Sequence, residues 1–279
     1  MSQQVITPEL CEWISEQTRA GHASEAVLAA MLGSGWDERV ARDALSRTLG
    51  QTATLTPPPG AVSVPEPDLS RFTPVMNAGD RDVKVLMALR QPRVVLFGGL
   101  LSDDECDEMI ALATKRLARS ETVATGTDGS EVNAARTSEG MFFERSETDL
   151  IRRVESRIST LVRWPVDYGE GLQVLRYRPG AEYQPHYDYF DPSHVGTPKI
   201  LQRGGQRVGT LVLYLNTPAE GGSTIFPDIG LDIAPVKGNA LFFSYDRPHP
   251  STQSLHGGSP VVQGEKWVAT KWLRQGVFV

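Results

Sequence analysis

The 279-residue chain has only two cysteines, Cys11 and Cys106. They are far apart and lie in different helical patterns, which argues against a disulfide scaffold and predicts reduced thiols in a cytoplasmic compartment. No excess of positive charge is present either. The formal net charge is −6 and the Lys and Arg residues are scattered, so the electrostatic footprint of a nucleic-acid binder is missing. No apolar run approaches the roughly 18 residues needed to cross a bilayer, and Met1 to Gln4 lacks the basic-then-apolar start of a signal peptide. These absences predict a soluble cytoplasmic protein without membrane or nucleic-acid partners. The chain does have apolar content, 40 %, enough for one large domain and a small one.

Residues 7 to 49 carry three short amphipathic stretches, TPELCEWISEQTRAG, SEAVLAAMLGSG and DERVARDALSRTLG. Thr7, Ser24 and Asp37 are placed as N-caps, Pro8 at a first helical position, and Gly21, Gly33 and Gly50 where helices stop. Residues 1–50 are therefore expected to form a small three-helix bundle. Its helix lengths and apolar spacing resemble ubiquitin-associated domains, which implies a possible protein partner, set against a bland appended bundle with a mini-core. Pro57, Pro58, Pro59, Pro65 and Pro67 then predict an extended linker over 51–70.

From residue 71 to 279 the texture is that of one catalytic-sized domain. Ser102 caps SDDECDEMIALATKRL, TDLIRRVESRISTLVRW gives a second helix, and almost everything later reads as short strands separated by turns. A mainly β domain with flanking helices, a jelly roll, is the expected class.

The stretch QPHYDYF sets His186 and Asp188 two positions apart, so in a strand both project to one face. Two such ligands leave a metal incompletely coordinated. His194 and His249 fall in probable loops; His256 opens SLHGGSPVVQGEKWVATKWL and is the preferred third ligand. Two histidines and a carboxylate make a facial triad, which leaves positions open on Fe(II) for a bidentate 2-oxo acid and oxygen. If that acid is 2-oxoglutarate, its far carboxylate needs a cation. Lys266, ten residues after His256 in the apolar strand EKWVATKW, is the candidate; the plain alternative is a snorkelling surface lysine, which alternation within one strand allows for either Lys266 or Lys271.

Three runs, LQVLRYRPGAEYQPHYDYF, QRVGTLVLYLNTPAEGGSTIFPDIGLDIAPVKGNALFF and SLHGGSPVVQGEKWVATKWL, resemble the catalytic domain of prolyl 4-hydroxylases in order, spacing and flanking residues, over about residues 93 to 275. The resemblance implies a double-stranded β-helix. It implies His186, Asp188 and His256 as iron ligands, Lys266 on the distal carboxylate of 2-oxoglutarate with Thr224 as a hydroxyl helper, and Tyr183 in the active site contacting 2-oxoglutarate or lining the substrate channel. It also implies Arg207 and Arg136 near a peptide groove, with surface salt bridging as the plain alternative. Members commonly carry a histidine where this chain has Arg274, so an arginine is expected to alter charge and reach at the site entrance. The implied activity is hydroxylation of proline in a peptide or protein, with Fe(II) as cofactor, 2-oxoglutarate and O2 consumed and ascorbate (vitamin C) as reductant. Hydroxylation of another side chain or a free amino acid, and a cupin-type metalloenzyme without 2-oxoglutarate, stand as alternatives. The segments 191–205 and 122–139 are polar and Gly-rich enough to be expected as lids over the substrate.

Overall fold

A computed structural model describes residues 6–19, 22, 24–48, 63–71, 73–119, 122–123, 130–131 and 137–279. The chain divides into two compact units, Met1–Pro59 and Gly60–Val279.

In the first unit, helices span Pro8–Arg19, Ser24–Gly33 and Glu38–Thr48. The Thr7 hydroxyl accepts from the Leu10 amide at 3.3 Å and the Asp37 carboxylate from Val40 at 3.2 Å, so two of the caps read from the sequence are in place. Ile14, Val27, Met31, Ala41 and Ala44 form a shared apolar core, with Trp13, Leu28 and Trp36 partly buried against it.

The second unit is built on a nine-stranded antiparallel sheet in the order Val75–Asn77, Asp82–Leu89, Arg93–Gly98, Ala240–Ser244, Arg207–Tyr214, Lys266–Arg274, Leu172–Tyr177, Glu139–Phe143 and Ala118–Arg119. A four-stranded sheet faces it, in the order Leu231–Ile233, Thr224–Phe226, His256–Gly258 and Tyr183–His186. Strand alternation sorts the core into two layers. Leu211, Leu213, Trp267, Ala269 and Leu273 pack against the helices Asp103–Thr114 and Asp149–Val162. Val212, Tyr214, Leu241, Phe243 and Val268 point the other way, into the space between the sheets. Both helices start where the sequence says. Ser102 and Glu105 close a capping box, and the Thr148 hydroxyl accepts from the Ile151 amide at 3.2 Å. The strands at Val75–Asn77, Asp82–Leu89 and Glu139–Phe143 add to those expected from the sequence; the first, of three residues, is too short to show alternation.

Alternation also decides between the two lysines. Lys266 and Lys271 are an odd number of residues apart on one strand, so they face opposite layers. Lys271 lies on the helix side, fully buried, with its ammonium 2.5 Å from Glu155 Oε1 and bonded to the Glu170 carbonyl. It is a structural ion pair. Removing one member leaves a buried charge, so Glu155→Ala should destabilise the unit by about 3–5 kcal/mol and lower its Tm by roughly 6–20 °C. The paired replacement Glu155→Leu with Lys271→Met should recover most of that loss, and thermal unfolding of the two variants checks it.

Candidate active site

The candidate metal ligands come from the smaller sheet and the bend that follows it. His186 ends its strand and His256 begins the neighbouring one, and the antiparallel register sets the two directly opposite each other, with ring centroids 4.4 Å apart. This pairing needs a close backbone approach. A Cβ at Gly257 would stand 2.8 Å from the Tyr183 carbonyl oxygen, which explains a glycine after the ligand. The strand stops at His186, so Asp188 reaches the same point from a bend rather than from strand alternation. Its Oδ1 is 3.6 Å from His186 Nε2 and its Oδ2 is 3.5 Å from His256 Nε2.

The three ligating atoms lie within 4.8 Å of one another, the one such cluster among the described residues. His194 and His249 are both exposed on loops, away from this cluster. Each ligand histidine uses its far nitrogen on the backbone: Nδ1 is 2.9 Å from the Gln184 carbonyl in His186 and 2.9 Å from the Ser254 carbonyl in His256. A carbonyl only accepts, so the proton sits on Nδ1 and Nε2 is left as a lone-pair donor, as a metal ligand requires. Burial also pushes the His256 pKa down to about 4, which keeps that imidazole neutral at physiological pH. At Asp188, burial pushes the pKa up, but His256, His186 and Arg207 outweigh it and hold the carboxylate ionised. The donor set therefore fits a divalent iron with open positions.

The three residues line a cleft of about 480 Å³, including its open mouth, between the two sheets. Lys266 lines the same cleft. It is 5 % exposed and its ammonium, 5.7 Å from the Tyr177 ring centroid, has no carboxylate partner among the described residues. A Cβ at Gly258 would come within 3.6 Å of that ammonium, so the glycine leaves the space beside it clear. Burial pushes the Lys266 pKa down to about 8. A buried, unpaired cation in a concave site fits a carboxylate ligand. Thr224 lies in the cleft with its hydroxyl held by the Tyr214 hydroxyl at 2.9 Å. Tyr183 also lines it, stacked on His186 with ring centroids 3.7 Å apart.

The depressed lysine pKa has a consequence for pH. Below about pH 8 the empty site already holds the ammonium, so affinity for a carboxylate should be flat; above it a proton must first be regained, and affinity should fall by up to tenfold per pH unit. Titrating 2-oxoglutarate into metal-loaded protein on either side of that value checks the sign.

Two of the expected substrate residues, Arg207 and Arg274, are held by a shared carboxylate behind the cleft wall. Arg207 is partly buried and paired through both arms with Glu170, at 2.7 and 2.9 Å, under the Trp272 ring at 3.9 Å, and it also donates to the Asp188 carbonyl at 3.4 Å. Arg274 is 1 % exposed, and its guanidinium donates to the Arg203 carbonyl and, at 3.1 Å, to the Ile200 carbonyl. Neither is among the residues that line the cleft, and the salt bridge expected as the plain alternative for Arg207 is present, to Glu170. Burial among aromatic rings and a shared carboxylate makes them internal braces. Arg274 thereby ties down the segment expected as a lid, which carries the short helix Thr197–Leu201. Arg136 and most of 122–139 lie outside the described residues. Thr210, Tyr214 and Tyr245 join the site without a motif of their own; their one sequence signal is a polar residue within an apolar run, as in VGTLVLY.

Residues 172–274 match the 2OG-Fe(II) oxygenase superfamily. Over 221 residues the chain is 38 % identical to prolyl 4-hydroxylase 5 of Arabidopsis thaliana, covering 72 % of this chain and 74 % of that protein. It is 37 % identical over 219 residues to prolyl 4-hydroxylase 2 of the same plant, covering 70 % and 71 %. The crystal structure of a viral collagen prolyl hydroxylase from Paramecium bursaria Chlorella virus-1, in complex with 2OG, superposes with a TM-score of 0.52 at 31 % identity. That match covers 65 % of this chain and 95 % of the other. At this identity and coverage, the chain belongs to the prolyl 4-hydroxylase family of Fe(II)- and 2-oxoglutarate-dependent dioxygenases.

Proposed function

We propose that this dioxygenase hydroxylates proline within a peptide or protein, converting 2-oxoglutarate and O2 to succinate and CO2. The observation that carries the reading is one cleft holding both the His186, Asp188 and His256 cluster and the unpaired ammonium of Lys266, in a chain 38 % identical to a prolyl 4-hydroxylase. Lys266 also disfavours a cupin-type site, which has no need of a buried cation there.

His186, Asp188 and His256 would hold Fe(II), which when bound with 2-oxoglutarate and O2 supplies the oxidising power for C–H hydroxylation. The chain's own residues do the rest. Lys266 takes the distal carboxylate of 2-oxoglutarate, and the Thr224 hydroxyl, oriented by Tyr214, stands ready as a second polar contact. Tyr183 fixes the His186 ring by stacking and forms part of the wall that the substrate meets. Val212, Val268 and Leu175 keep the cleft apolar, which excludes water and strengthens the Lys266 charge pair. Ascorbate is the proposed reductant that maintains the ferrous state. Neither Cys11 nor Cys106 forms a disulfide, which supports a cytoplasmic setting. We read residues 1–50 as a three-helix bundle that binds a protein partner, 51–70 as its linker and 71–279 as the catalytic domain; the apolar core of the first three helices supports the first of these.

The test is a peptide-library assay of succinate formation with mass-spectrometric location of the added oxygen. Stimulation by proline-containing peptides, with oxygen on proline, is the expected result. Oxygen on another side chain, or stimulation by free amino acids alone, would contradict the substrate assignment.

A further inference from the structure

The Asp188 carboxylate sits between two imidazoles at nearly equal distances, 3.6 Å from Oδ1 to His186 and 3.5 Å from Oδ2 to His256. The histidines alone therefore do not choose which oxygen coordinates or fix the rotation of the carboxylate. A third contact does. Thr210, in the middle of the strand Arg207–Tyr214 and fully buried, donates its hydroxyl to Asp188 Oδ2 at 2.7 Å. The Tyr245 hydroxyl lies 3.0 Å from the same Thr210 oxygen. An ionised carboxylate only accepts, so the single Thr210 proton is on Asp188 and Tyr245 must donate to Thr210. Tyr245 is itself 2 % exposed and braced by the Tyr189 and Phe243 rings, each with its centroid 6.2 Å away. Its hydroxyl is therefore held in place by packing.

We propose that Thr210, itself oriented by Tyr245, is a positioning residue that engages Asp188 Oδ2 and presents Oδ1 as the ligating atom. With one oxygen coordinating, the remaining positions of the facial triad stay open for the 2-oxo acid and oxygen. The two hydroxyls form a chain that begins at Tyr245, directly after the strand Ala240–Ser244, crosses the adjacent strand at Thr210, and ends on Asp188. The inference rests on Asp188 being a ligand.

The experiment is a titration of metal-free full-length protein with Mn(II), following free ion by electron paramagnetic resonance, so that no turnover is needed. Thr210→Val should weaken Mn(II) binding by about 10–100-fold, the usual cost of losing an outer partner of a ligand. Thr210→Ser should restore it to within about threefold. Tyr245→Phe should give a smaller loss, and in the Thr210→Val background it should add nothing, because the two hydroxyls act in series. Wild-type affinity in Thr210→Val, a serine variant no better than the valine one, or additive losses in the double variant would overturn the relay. Should Thr210→Val fail to fold, the Tyr245→Phe titration decides: wild-type affinity there sinks the role of the tyrosine brace. Failure of the unaltered protein to bind Mn(II) would instead overturn the ligand assignment itself, and the relay with it.

Discussion

Asp188→Ala is expected to abolish turnover and metal retention together. Asp188 is the one carboxylate in the cluster, buried with 4 % of its side chain exposed, and its charge is held ionised by His256, His186 and Arg207 against the pull of burial. Without it, a divalent ion would face two neutral imidazoles and no anionic donor in a largely apolar cleft. The loss should exceed the 10–100-fold typical of an outer partner, reaching about 10³-fold or more in metal affinity, with succinate formation falling to background. Iron content after gel filtration and a succinate assay measure the two effects. An alanine variant that kept stoichiometric iron would show that the carboxylate is not a ligand.

Lys266→Ala should behave differently, retaining iron while losing the cosubstrate. The ammonium lies in the same cleft as the cluster but makes no contact with its ligands, and no carboxylate of the described residues neutralises it. Its charge is therefore available to an incoming anion. Removing one member of a buried, hydrogen-bonded charge pair costs about 2–5 kcal/mol, which corresponds to roughly 30- to 4,000-fold in KM for 2-oxoglutarate. Lys266→Arg should recover only part of this, since a planar guanidinium is larger than the space bounded by Gly222 and Gly258, where a Cβ would already stand 3.2 Å from the Lys266 stem and 3.6 Å from its ammonium. A Lys266→Ala enzyme with an unchanged 2-oxoglutarate KM would remove the lysine from the site.

Much of this site could be read from residue order because its parts are local. His186 and Asp188 are two positions apart, and the glycine after His256 reports a close backbone approach. Lys266 stands within a strand whose alternation, once its pairing with Arg207–Tyr214 and Leu172–Tyr177 is known, sends it into the cleft and sends Lys271 to Glu155. That choice stayed open in the sequence, where the strand's two faces are both apolar and give no sign of which is which. Arg207 and Arg274 show a different limit. A charged residue at a strand end normally reads as exposed, but both are enclosed here by Trp272, Phe190 and Phe278 around one carboxylate, Glu170. Glu170 lies 37 residues from Arg207, so nothing local announces the pairing. The same holds for Thr210 and Asp188, 22 residues apart, which meet only because two sheets close on each other.

Anaerobic titration of 2-oxoglutarate into the Fe(II)-loaded protein tests the central claim most directly, because a chelated 2-oxo acid gives a weak visible charge-transfer band that iron alone does not. The account predicts a saturable band that is absent in Asp188→Ala and needs far more 2-oxoglutarate in Lys266→Ala. Bound iron with no band at saturating 2-oxoglutarate would contradict it.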